Sequence, residues 1–150
     1  MKFDKYNKAT DKEVLLELVS RLSDFTLPDG VPEEIFKAKQ ASLMEKDLEN
    51  ESNTIMVVKQ VGHIIAFIQL ETDVDWISGE KYGYISRIIV SESAEGNGLG
   101  KKLMTLAEEW ATENGYSAVG LNVFSQNTRA FRLYESIGYK TETVKMMKRL

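Results

Sequence analysis

The segment EGNGLGKKL, residues 95–103, holds the most specific chemistry in the chain. Gly96, Gly98 and Gly100 sit at alternate positions, after an apolar run at residues 86–90 and before a helix-like pattern. Glycines spaced this way let the backbone approach a ligand with no β-carbon in between. Free amides at a helix start, together with its partial positive charge, hold anions. The chemistry on offer is phosphate binding. Two common phosphate loops do not fit. A P-loop ending at Gly100-Lys101 requires glycine where Glu95 stands and Ser or Thr where Lys102 stands. A dinucleotide fingerprint requires GxGxxG, whereas the spacing here is GxGxG, and the strand pattern ending at Phe124 offers no acid for a ribose. The pattern alone leaves a phosphate cradle and a tight packing turn as open alternatives.

Other reactive groups are sparse. The chain has no cysteine, which removes disulfides, thiolate nucleophiles and thiolate metal sites. Its one histidine, His63, follows Val61-Gly62 at a hairpin turn and reads as a solvated turn residue, so no metal site is expected. In NTRAFRLYESIGYK, residues 127–140, Asn127 suits a helix N-cap. Tyr134 lies seven residues further, on the same helical face. By spacing alone that tyrosine is a core residue.

Taken together, VSESAEGNGLGKKL and NTRAFRLYESIGYK closely resemble the paired signature motifs of the GNAT superfamily of acetyl-CoA-dependent N-acetyltransferases. The first motif there reads [RQ]-x-x-G-x-[GA] after a strand end such as Ile88-Ile89-Val90. The second reads roughly N-x-x-A-x-x-x-Y-x-x-x-G-[FY], met by Asn127, Ala130, Tyr134, Gly138 and Tyr139. The resemblance implies that the amides of Gly96, Asn97, Gly98, Leu99, Gly100 and Lys101 hold the coenzyme A pyrophosphate. It implies that the backbone of Ile88 and Val90 pairs with the pantetheine arm and polarises the thioester carbonyl. Asn127 would also bond that arm. Tyr134 would act as general acid toward the departing thiolate, and Tyr139 would be structural. Lys101, Arg129 and Arg132 are candidate phosphate or adenosine contacts, with solvated surface charge as the alternative. Glu95 departs from the pattern, standing where Arg or Gln is usual. The general base is unassigned, with Glu71 and Asp73 the nearest carboxylates. The acceptor is a small-molecule or peptide amine, such as a polyamine, an aminoglycoside or an amino terminus. Acidic Asp24, Asp29, Glu33, Asp73 and Asp75 would suit a cation in a wall built from SDFTLPDGVPEE and the 73–81 loop. A catalytically silent acyl-CoA-binding module is the alternative from a different class.

Positioning these groups needs a framework, and periodicity supplies one. KFDKYN reads as a first strand, and Thr10 to Glu13 as a capping box opening a helix with Val14, Leu15, Leu18, Val19 and Leu22 on one side. A second helix starts at Pro32, with Ile35, Phe36, Ala38, Ala41, Met44 and Leu48 as its apolar side. Residues 54–60 and 63–71 form a hairpin, and residues 82–90 a third long strand. Alternation there places Tyr84, Ser86, Ile88 and Val90 on one face and Ile85, Arg87 and Ile89 on the other. A helix over 98–114, a buried strand over 118–124, a helix from Asn127 to Gly138 and alternating terminal strands complete the chain. The expected architecture is α/β (α+β): a mixed, mostly antiparallel twisted sheet flanked by about four helices, with a right-handed strand–glycine turn–helix–strand crossover. The 150 residues suit a single domain spanning 1–150. A net charge of −4 gives no support for a nucleic-acid surface. Without a membrane-length apolar run or a signal-like N-terminus, the expected location is cytoplasmic. Exposed edges allow a homodimer.

Overall fold

Period-two patterning sorts the strand residues onto two faces. In β2 (Thr54–Gln60) and β3 (His63–Val74), Ile55, Val57 and Phe67 turn to one side while Val58, Ala66, Ile68 and Leu70 turn to the other. The computed structural model, which describes residues 1–24 and 27–150, shows both sides covered. The sheet has five strands in the order β1 (Lys2–Lys5), β2, β3, β4 (Lys81–Val90) and β5 (Val119–Leu121). All neighbours are antiparallel except β4 and β5, which are parallel and joined through α3 (Leu99–Glu113). That is the expected mixed sheet with its crossover.

On one face, α1 (Lys8–Val19) and α2 (Glu33–Leu48) bring Leu15, Leu18, Val19, Met44 and Leu48 onto Val57, Phe67 and Ile89. On the other, Leu99, Leu103, Met104 and Ala107 of α3 and Tyr134 of α4 (Thr128–Ser136) close over Ile68, Leu70 and Ile85. Each fully buried aliphatic side chain contributes roughly 1.5–3 kcal/mol.

Several local expectations are corrected. The start of α1 is capped by Asn7, whose side chain accepts from the Ala9 amide, and not by Thr10. The reciprocal bond comes from Asp11, which accepts from the Asn7 amide at 2.9 Å. Asp11 is buried and also takes Lys59 at 2.9 Å and the Thr10 hydroxyl at 2.9 Å. Burial alone would raise its carboxyl pKa, but Lys59, the Asn7 amide and Thr10 together hold it below the usual range. Replacing Asp11 with Ala strips three donors of their acceptor at a buried site. Chemical denaturation should show a loss of about 3 kcal/mol.

The apolar side of α2 holds only in its second half: Met44 and Leu48 are buried, whereas Ile35, Ala38 and Ala41 are exposed. Phe36 packs on Phe124, ring centroids 6.0 Å apart, so the first half of α2 leans over the chain that follows β5. The buried strand expected over 118–124 is three residues long and half-buried. The terminal strands are absent. Residues 139–150 form no regular element, and Val144, Met146, Met147 and Leu150 are exposed. The tail instead crosses the molecule, because Arg149 lies against Gly30 in the loop before α2. A segment that leaves the sheet edge has no ladder for its alternation to serve. Of the expected acceptor wall SDFTLPDGVPEE, Phe25 and Thr26 lie outside the described residues. No helix among the described residues is long and apolar enough to cross a membrane.

Candidate active site

The candidate residues gather around the point where β4 parts from β5. The two strands pair only at Gly83–Val119, Tyr84–Gly120 and Ile85–Leu121, so residues 86–90 of β4 have no strand beside them on that side among the described residues. The Ser91 amide donates to the Ile65 carbonyl at 2.8 Å, and the Arg87–Gln69 to Ala66–Val90 register extends from it. Hydrogen-bonded pairs alternate in an antiparallel ladder. Arg87 and Ile89 therefore turn their amides and carbonyls to β3, while Ile88 and Val90 turn theirs into the gap left by β5.

A register shift at Ser86 corrects the expected facing of β4. Gln69 pairs with Arg87 and Leu70 with Ile85, leaving Ser86 as the extra residue of a bulge. Ile85 consequently joins Ile88 and Val90 on the α3 side. Arg87 and Ile89 remain on the α1–α2 side, the first bonded to Asp47 of α2 and the second packed in that core. Simple alternation had separated Ile85 from Ile88.

At the C-terminal end of β4 stands the glycine loop. Gly96 and Gly98 have φ of 77° and 70°, in the left-handed region, and a β-carbon on either would meet nothing within 4 Å. Gly100 is different: a β-carbon there would sit 3.2 Å from Leu133 of α4. Of the two roles left open by the glycine spacing, both are present, Gly100 packing and the other two open. Gly98 is the N-cap of α3 and no side chain caps that end, so the first amides of the helix, from Leu99 to Lys101, have no capping acceptor. Asn97 turns its side-chain amide back toward the Ala94 and Glu95 carbonyls, 3.5 and 3.4 Å away. Open backbone, uncapped amides and a helix N-terminus in one place fit a pyrophosphate.

Across the gap, Asn127 caps α4 by accepting from the Ala130 amide at 3.3 Å, which leaves its side-chain nitrogen unused by the cap. Tyr134 is buried, 8% exposed, on the same side of the sheet as Ile88 and Val90. Its ring lies 6.2 Å from that of Tyr139, beside a cavity of about 70 Å³ bounded by Leu121, Val123 and Phe131. Burial pushes the Tyr134 hydroxyl up to about 12. Burial also raises Tyr139, with the Glu108 carboxylate nearby.

The misfit of Glu95 is resolved by partners that sequence reading missed. Its carboxylate takes Arg129 of α4 at 2.5 Å and Arg21, from the 3₁₀ turn Ser20–Asp24, at 2.9 Å. The two guanidiniums, Arg129 first, hold the Glu95 carboxyl below its usual range. Arg21 also bonds Asp24 and the Val90 carbonyl, so one of the two backbone acceptors assigned to the pantetheine arm is already engaged. Nothing in the spacing of Arg21 and Glu95, 74 residues apart, signals this contact.

A second polar chain, also unforeseen, runs along the α1–α2 face. Arg87, with its side chain 8% exposed, donates to Asp47 and to Gln69 Oε1 at 2.7 Å. Its oxygen taken, Gln69 turns Nε2 to Glu71 Oε1, 2.7 Å away. Gln69 is fully buried, and a polar residue inside HIIAFIQLE was the only available signal. Asp73 instead receives the Tyr82 hydroxyl at 3.3 Å and is exposed.

With this geometry in hand, comparison with known proteins is decisive at the family level. The model of the acetyltransferase (GNAT) family matches residues 16–139. The chain belongs to that family. An uncharacterized Bacillus subtilis N-acetyltransferase, YhfO, is 28% identical over 102 residues, 68% of each chain. An Archaeoglobus fulgidus N-acetyltransferase, also uncharacterized, is 33% identical over 92 residues, 59% of this chain and 61% of that one. Among solved structures, a Pyrococcus furiosus protein assigned as an acetyl transferase superposes with a TM-score of 0.81 at 25% identity, covering 99% of this chain and 100% of that one. An aminoglycoside 6'-N-acetyltransferase of Acinetobacter haemolyticus shares the fold, with a TM-score of 0.69 at 15% identity over 100% and 99% of the two chains.

Proposed function

We propose that the protein, acting as a single domain over residues 1–150, transfers an acetyl group from acetyl-CoA to a primary amine by direct attack in a ternary complex. The observation behind this reading is that β4 has a free edge over residues 86–90 and leads, through the glycine loop, to the uncapped N-terminus of α3. Residues 96–101 would hold the pyrophosphate. The backbone of Ile88 and the Val90 amide would bond the arm, and Asn127 would add its side-chain nitrogen. Bound acetyl-CoA supplies an acetyl thioester, whose C–S bond breaks as the amide C–N bond forms. A backbone donor on the free edge of β4 would stabilise the charge that develops on the acetyl oxygen. Burial raises the Tyr134 hydroxyl to about 12, so it is protonated at neutral pH and would be the proton donor to the leaving sulfur.

The amine enters from the α1–α2 face. Of the two candidate carboxylates there, Glu71 is preferred to Asp73. It is half-buried and oriented by Gln69, whereas Asp73 is exposed and engaged by Tyr82. Glu71 would hold the incoming amine and take its proton, directly or through water. Glu71→Gln should lower kcat/KM for the amine by about 10–100-fold and leave the KM for acetyl-CoA unchanged. Equal losses toward both substrates would remove Glu71 from the acceptor side. Thiol release from acetyl-CoA against a panel of polyamines, aminoglycosides and peptide amino termini tests the reading as a whole. Turnover on at least one amine is expected. Thermal stabilisation by coenzyme A with no turnover on any of them would favour a silent binding module.

A further inference from the structure

Glu95 follows β4 and Arg129 follows β5, so the bond between them joins the segments that leave the two parting strands. Arg21 reaches the same carboxylate from the N-terminal helical arm. Three separate elements are thus tied at one carboxylate, immediately before the first open glycine. Arg129 is 69% exposed and Glu95 32%, so this bond is open to exchange, while Arg21, at 22%, is fixed by Asp24 and the Val90 carbonyl as well. An anion on the amides of residues 96–101 would be the neighbour of Glu95 and would compete for the same guanidinium. Arg21 and Arg129 face two carboxylates, Glu95 and Asp24, so the cluster at the rim is neutral. Without Glu95 it would carry one positive charge, and Arg129 would have its donors free while Arg21 kept Asp24 and the Val90 carbonyl.

We propose that Glu95 is a placeholder anion that occupies Arg129 in the free protein, and that a phosphate of the cofactor displaces it. Arg129 then becomes a phosphate-binding residue, and Glu95 a positioning residue that sets how tightly the phosphates are held. This rests on the coenzyme A reading above. A clasp that only tied the fold together would weaken cofactor binding when cut. A placeholder predicts the opposite sign, and an effect confined to donors that carry phosphates.

The test compares coenzyme A affinity by calorimetry with kcat/KM for acetyl-pantetheine, which lacks the phosphates, in wild type, Glu95→Gln and Arg129→Gln. Glu95→Gln should bind coenzyme A about tenfold tighter, from one fewer negative charge near the pyrophosphate. Its use of acetyl-pantetheine should not change. Arg129→Gln should bind coenzyme A at least fivefold more weakly, again with acetyl-pantetheine unaffected. A folded Glu95→Gln protein with unchanged or weaker coenzyme A binding overturns the proposal, as do equal changes toward both donors. Should Glu95→Gln fail to fold, Arg129→Gln decides alone, and no selective loss in it overturns the proposal. Wild-type protein that binds no coenzyme A would overturn the cofactor reading itself, and this assignment with it.

Discussion

Gly98→Glu should remove coenzyme A binding by at least a hundredfold while leaving the protein folded. Two effects separate cleanly at this residue. The backbone is left-handed, with φ of 70°, which costs a non-glycine residue roughly 1 kcal/mol. A β-carbon meets no protein atom within 4 Å, so the new side chain occupies open space above the loop and not the core. That space is where the pyrophosphate would rest, and a carboxylate there adds repulsion to obstruction. Gly98→Ala isolates the strain: a small drop in melting temperature, and a binding loss below tenfold. Calorimetry on both variants checks the expectation. Normal binding by the glutamate variant would remove the loop from the cofactor site.

The second large effect is on turnover. Tyr134→Phe should lower kcat by roughly a hundredfold with little change in the KM for acetyl-CoA, because it removes only the proton donor. The hydroxyl also predicts a change in alkaline stability. Its folded value of about 12 lies above the ordinary 10, so burial favours the protonated form. That stability is fully present below pH 10 and is lost as pH rises toward 12, where the unfolded chain ionises first. Tyr139 is raised in the same sense and adds to the loss. Melting temperatures of wild type should fall across this window, and those of Tyr134→Phe should fall less. An unchanged kcat in the phenylalanine variant would return Tyr134 to the core.

The candidate residues with a local signature were legible in the chain. Gly96 and Gly98 announce backbone left open by missing β-carbons, Asn127 announces a cap, and the run of residues 82–90 announces a strand, because each depends on near neighbours. What escaped depends on neighbours distant in sequence. The bulge at Ser86 arises from the pairing of β4 with β3 and leaves no mark in SRIIV itself. Glu95 looks unfavourable beside a phosphate loop until Arg21 and Arg129 arrive from two other elements. Thr10 and Glu13 match a capping box, yet Asn7 captures the helix start because buried Asp11 completes the reciprocal bond and also reaches Lys59 on β2. The tail alternates like a strand, but alternation forms a strand only where a ladder partner exists.

Coenzyme A is expected to bind in one cleft, between the free edge of β4 and the start of α3. At 17.0 kDa the protein suits backbone amide NMR, and a coenzyme A titration read at each amide tests that cleft most directly. The largest shifts should fall at residues 96–101 and at Ile88 and Val90. No shifts, or shifts centred instead on the separate cavity lined by Glu108, Tyr116 and Tyr139, would contradict it.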